Sequence, residues 1–240
     1  MALKEYEITR LPYLLHYKEE SAFLEVYGRQ PGTVTLGGQL IEPSGVPRKV
    51  LLIFMHPIGI MEFLPFPNAM ARCGVHVLCA MTRYPRNDTA LIMEKCLADL
   101  GAHVRHAREE LGFEKVVLVG WSGGGSLMSC YQSQAENPTV THTPAGDAYD
   151  LGAANLSAAD ALIIIAAHTN RAVTLTEWTD PSFIDELDPS KRNSEFDLYD
   201  PANPNQPPYS KDYIEAFETA QLVRNRRITA WVREKLEDFK

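Results

Sequence analysis

Val116-Val-Leu-Val-Gly-Trp-Ser-Gly-Gly-Gly-Ser-Leu-Met128 is the stretch whose reading decides the fold. It opens as an apolar run of strand character and continues from Gly123 to Ala135 as a helix. Between the two stands Gly120-Trp-Ser122-Gly-Gly124, a G-x-S-x-G pattern. A chain that passes directly from a buried strand into a helix must reverse sharply. That reversal forces Ser122 into a strained conformation that only small neighbours tolerate. The hydroxyl then projects above the sheet at the helix N-terminus, where the amide of Gly123 can stabilise an oxyanion. Two other readings compete. One is a glycine-rich turn that merely lets a helix pack close to a strand. The other is a dinucleotide loop, but that requires G-x-G-x-x-G at the first strand of its unit, and here the spacing is wrong and the strand is the fifth.

Working outward, Val50–Met55, Val75–Ala80, Lys115–Val119 and Ala161–Ala166 are further continuous apolar runs of strand length. Each suits a strand covered on both faces of a parallel sheet. From Ala90 to Leu111 the apolar residues Met93, Leu97, Leu100, Val104 and Leu111 form one stripe of a helix, which Gly112 ends. Strand, helix, strand, helix implies α/β architecture, a mostly parallel sheet flanked by helices. Residues 1–48 read as a β-rich opening segment, with runs at Phe23–Tyr27, Thr33–Leu36 and Gln39–Ile41 broken by glycines. Residues 179–210 carry Asp180-Pro, Asp188-Pro, Asp200-Pro, Asn203-Pro and Pro207-Pro208, a stretch of turns and extended chain. Residues 211–239 then read as one helix with Ile214, Phe217, Ile228, Trp231, Val232, Leu236 and Phe239 along a face. The expected division is a core over 1–178 and a proline-rich, helical cap segment over 179–240.

The other stretch that carries chemistry is His56-Pro-Ile-Gly59, directly after a strand. Acyl transfer requires two backbone donors for the oxyanion, one beside the nucleophile and one from the loop after the third strand. Pro57 has no N–H, so Ile58 is the expected donor and Gly59 the alternative. The competing reading is a plain strand exit stopped by proline.

With both stretches in view, residues 50–168 resemble the core of the α/β-hydrolase superfamily. The resemblance rests on the His56-Pro-Ile-Gly turn, the Gly120-Trp-Ser-Gly-Gly elbow and the strand–helix order around them. It implies Ser122 as nucleophile and Gly123 and Ile58 as oxyanion donors, with His56, Trp121 and His168 lining the pocket. Pro57 departs from the glycine of many members. A serine at the elbow suits esterases, lipases, thioesterases, amidases and peptidases rather than the aspartate-dependent members. The implied activity is hydrolysis of an ester-like small molecule through an acyl-enzyme, with no cofactor and no metal.

The family's fold has two more strands after the one ending at Ala166, and these place an acid and then a histidine over the serine. Nothing after Asn170 reads as a buried strand, so the expectation is an incomplete hydrolase that lacks the triad acid and histidine. The alternatives are a non-catalytic binding protein of the same fold, and a remnant whose sheet edge is left unpaired. Among the histidines, His168 stands past a strand end and reads as pocket lining. His142 reads as a surface loop, His103 and His106 as a solvated helix face, and His76 as a satisfied core residue.

Composition sets the remaining bounds. The 240 residues are 45% hydrophobic and 22% charged, which suits one large globular domain. A net charge of −8 argues against nucleic acid, which needs a basic face. No run reaches the length of a membrane span, and the charged opening Met1-Ala-Leu-Lys-Glu lacks an apolar leader core, so a cytoplasmic location is expected. Cys73, Cys79, Cys96 and Cys130 have no metal or redox spacing and read as small buried hydrophobes.

Overall fold

The continuous apolar runs become the centre of a sheet, as full burial on both faces requires. Strands β3 (Val50–Phe54) and β4 (His76–Ala80) carry almost entirely buried side chains, and β5 (Lys115–Trp121) is buried at Val116 and from Leu118 to Gly120. The computed structural model describes residues 4–19, 32–87 and 91–238. With β1 (Ile8–Lys18), β2 (Thr33–Pro43) and β6 (Ala161–Ile165) they form a six-stranded sheet of order β1-β2-β4-β3-β5-β6. The β1–β2 and β2–β4 pairs are antiparallel and the β4–β3, β3–β5 and β5–β6 pairs parallel. The class is the expected one, α/β with a mostly parallel sheet flanked by helices.

Side-chain alternation sorts the core into two layers. Leu51 and Ile53 of β3, with Leu78 and Leu118, join one cluster. It also holds Leu97, Leu100 and Val104 of α2 (Met93–Glu109), and Leu127, Met128 and Tyr131 of α3 (Gly123–Glu136). Leu52 and Phe54, with Val77 and Val119, join the other, against Ala71 of α1 (Pro65–Arg72) and Met61. Helices therefore cover both faces, as a parallel sheet demands.

Several expectations are corrected. β1 carried no strand signal because Thr9 to Pro12 are all exposed, none of its side chains is fully buried, and Pro12 interrupts the run. The runs at Thr33–Leu36 and Gln39–Ile41 merge into one strand that passes through Gly37-Gly38. The ring of Tyr13 lies across Gly38, where a Cβ would stand only 2.5 Å from Cε1, so the glycine admits the ring rather than ending the strand. The run at Phe23–Tyr27 falls outside the described residues. β6 is apolar but not covered: Leu162, Ile163 and Ile164 are 37%, 39% and 48% exposed. An apolar run cannot by itself distinguish a central strand from an uncovered one. Cys79 and Cys96 are buried as expected, whereas Cys73 and Cys130 are exposed.

The chain divides into two compact units, 1–168 and 169–240. The second contains α4 (Arg171–Glu177) and the 28-residue α5 (Lys211–Asp238). Between them, Asp180, Asp185, Asp188, Asn193, Asp197, Asp200 and Asn203 each accept a bond from the backbone N–H two residues on. These local side-chain bonds replace a helix or strand ladder, which is why the stretch is all turns. On α5, Ile214, Trp231, Val232 and Leu236 of the expected apolar face are exposed.

Candidate active site

β3 and β5 are hydrogen-bonded neighbours, with Phe54 paired to Val119. The chain leaves β3 for β4 on one side and reaches β5 on the other, so their carboxyl ends flank a topological switch point, where ligands of such sheets bind. His56 follows the end of β3 and Ser122 the end of β5. The order of the strands thus brings together two residues 66 positions apart in sequence.

Ser122 is the N-cap of α3, with φ 54° and ψ −125°. A non-glycine residue in this region is strained, at a cost on the order of 1–3 kcal/mol, and persists only where its surroundings impose it. The surroundings here are glycines in contact. A Cβ on Gly120 would stand 2.5 Å from Gly125 Cα, and one on Gly124 2.5 Å from the Met55 carbonyl oxygen. On Gly125 it would meet the Ala167 methyl at 2.1 Å, and on Gly123 the His56 Nε2 at 2.9 Å. Each glycine of the turn is therefore required by the close approach of a particular neighbour. Backbone bonds complete the frame: Ser122 N–H donates to Ile165 at 3.2 Å, and the Ser122 carbonyl accepts from Gly125 and His168, both at 3.1 Å.

The Ser122 side chain makes no capping bond to α3, and the first turn of that helix holds no acidic residue. With no acidic residue of its own first turn beside it, the positive end of the helix is a favourable place for developing negative charge.

The loop after β3 is tied down on its far side. Thr82 Oγ1 donates to the Pro57 carbonyl at 2.6 Å, and Arg86 N–H to the Ile58 carbonyl at 2.9 Å. The N–H of Ile58, the expected donor, is 3.2 Å from His56 Nδ1, and that of Gly59 is 2.9 Å from the same atom. Nothing in the sequence marked this bond. A histidine two residues before a free amide is too common a pattern to signal it. The rings of His56 and Trp121 lie 6.4 Å apart, so both flank the serine turn. His168 meets it through its backbone.

The other histidines serve the fold. His76 is buried, with Nε2 3.0 Å from the Val46 carbonyl. His142 lies in an exposed loop. His103, expected on a solvated face, is wholly buried instead: Nδ1 is 2.6 Å from Tyr13 Oη and Nε2 2.9 Å from the Met81 carbonyl. Burial pushes its pKa down from 6.5 to about 4. His106 stacks on Tyr13. The helix stripe was drawn from aliphatic residues alone, which hid the share of α2 that is buried through hydrogen-bonded polar side chains.

Among the described residues no group of three or more His, Cys, Asp or Glu could hold a metal ion. Among the same residues no helix is long and apolar enough to cross a membrane.

No family model matches this chain, and no curated protein does. Solved structures similar to it include three esterases. The first is brefeldin A esterase, described as a bacterial homologue of human hormone sensitive lipase. It is 22% identical over 57% of this chain and 37% of its own, with a TM-score of 0.38. A bacterial heroin esterase is 21% identical over 55% of this chain and 41% of its own, at 0.38. Esterase Est22 is 17% identical over 75% of this chain and 48% of its own, at 0.39. The match thus spans less than half the length of each of the three.

Proposed function

We propose that this chain is a serine hydrolase of the α/β-hydrolase superfamily, acting on a carboxylic ester or thioester. The observation that carries the reading is the backbone of Ser122, held at φ 54° and ψ −125° between β5 and α3. Strain of this kind, enforced by four surrounding glycines, is what presents a hydroxyl at the rim of a sheet. In this reading Ser122 Oγ forms a bond to the carbonyl carbon as its own proton passes to solvent water. The carbonyl electron pair moves onto the oxygen, beside the N–H of Gly123. Collapse of that intermediate expels the alcohol or thiol, and water then cleaves the acyl-enzyme. The resemblance assigns the second oxyanion donor to Ile58 and pocket lining to His56, Trp121 and His168. On the same ground residues 179–240 are proposed as the cap segment that selects the substrate.

We assign the base and its acid partner to none of the described residues. Without them a serine triad typically retains about a thousandth to a millionth of normal turnover, because binding and the oxyanion hole remain. The decisive test is covalent labelling by a fluorophosphonate, with hydrolysis of a short-chain activated ester as the second readout. Labelling at Ser122 that Ser122→Ala abolishes, together with very slow turnover, is the expected outcome. Label on another residue, with Ser122 unmodified after prolonged exposure to excess reagent, would overturn the nucleophile assignment. Rapid Ser122-dependent turnover would overturn the missing base.

A further inference from the structure

His56 Nδ1 lies 3.2 Å from the backbone N of Ile58 and 2.9 Å from that of Gly59. Both groups are donors, so Nδ1 is the acceptor, and a neutral imidazole must then carry its proton on Nε2. Placing a second proton on Nδ1 would set three N–H dipoles against one another, which holds the ring in this one tautomer. The opposite edge of the ring faces the elbow. A Cβ on Gly123 would stand 2.9 Å from Nε2, against 3.6 Å from Cδ2 and Cε1, so the ring approaches the residue after Ser122 with Nε2 foremost. The turn that carries it is anchored by the buried Thr82 and by Arg86, and Gly59 leaves room for the ring, because a Cβ there would be 3.0 Å from Nδ1.

We infer that His56 Nε2–H, rather than the N–H of Ile58, is the second donor to the oxyanion, while the Ile58 and Gly59 amides are positioning groups that fix the tautomer. This rests on Ser122 as the nucleophile. No proton leaves His56 in the step. As Oγ bonds to the carbonyl carbon, the displaced π pair settles on an oxygen that accepts hydrogen bonds from Gly123 N–H and His56 Nε2–H, and the proton of Oγ passes to a solvent water molecule. In this tautomer His56 cannot itself take that proton, because its only unprotonated nitrogen is turned away toward the amides.

The test combines imidazole ¹⁵N–¹H NMR with phosphonylation kinetics. In the unlabelled protein His56 should show an unprotonated Nδ1 and a protonated Nε2. After fluorophosphonate labelling at Ser122 the Nε2–H proton should move downfield as it meets the phosphonyl oxygen. His56→Asn keeps an acceptor for the two amides but removes the far donor, and it should slow phosphonylation about a hundredfold, the usual loss for one oxyanion donor. His56→Gln, which can reach the Nε2 position with an N–H, should recover part of that loss, which a purely structural role would not allow. An Nδ1–H tautomer, an Nε2–H signal unmoved while the Ile58 amide shifts, or wild-type labelling by His56→Asn would each overturn the assignment and leave Ser122 as nucleophile intact. A wild type labelled at another residue, with Ser122 unmodified after prolonged exposure to excess reagent, would overturn the nucleophile, and this assignment with it.

Discussion

The two flanks of the sheet treat polar groups in opposite ways. On the β1–β2–β4 flank, charge is buried and consumed. Asp99 of α2 accepts from Arg83 N–H at 2.8 Å, from the Arg83 guanidinium at 2.8 Å and from Tyr17 Oη at 2.7 Å. Glu19 takes the other arm of Arg83 and a bond from Tyr149. On the β5–β6 flank, the carboxyl end of β5 carries a half-buried serine in a strained backbone, glycines on every side and an apolar strand left open. The first arrangement satisfies each group within the fold and leaves none for a ligand. The second spends conformational strain to present one hydroxyl. Perturbed titration is a common sign of an active site, yet in this protein the strong perturbations sit where the fold is most closed.

Breaking that contrast begins with the largest effect. Asp99→Ala leaves a buried guanidinium with one carboxylate instead of two and removes the acceptor of the Tyr17 hydroxyl, which keeps only its bond from Arg83. It should destabilise the protein by about 3–5 kcal/mol in chemical denaturation. A change comparable to that of an exposed residue would mean the cluster is solvated, and the contrast would fail.

Acid tests the same flank. His103 is neutral in the folded chain down to about 4, while the unfolded chain takes up a proton near 6.5. The unfolded state therefore binds more protons between those values, and the contribution of His103 is fully present above pH 6.5 and lost as the pH falls toward 4. The loss should be on the order of 3 kcal/mol. His103→Asn should flatten that part of the pH–stability curve, and an unchanged slope would place the ring in contact with water.

The smallest expected change is at the elbow. Gly125→Ala sets a methyl 2.1 Å from that of Ala167, and such overpacking costs about 1–3 kcal/mol. Adding Ala167→Gly should restore much of the thermal stability and the Ser122 labelling together. Failure of the pair to compensate would mean that the elbow's glycines are set by backbone conformation and not by this contact.

How far the sequence could be read follows the range of the interactions. The elbow was legible because strand, turn and helix are contiguous: six residues hold the strained serine and the glycines around it. The central strands were legible because apolar runs need cover on both faces. β1 was not, since a half-exposed strand with a proline has no pattern stronger than that of a loop. The reading of His103 as solvated failed because its partners, Tyr13 and Met81, lie 90 and 22 residues away.

The sequence by itself determined the architecture of the core and the place of the strained turn at Ser122, because hydrophobic periodicity and glycine spacing are properties of neighbouring residues. Only the tertiary structure decided that β3 and β5 are adjacent and that His56 therefore stands against Gly123. It also decided that the amides of Ile58 and Gly59 turn toward the ring. Which nitrogen of an imidazole carries the proton depends on the direction of its neighbours' hydrogen-bonding groups, and those directions are fixed only when distant strands pair.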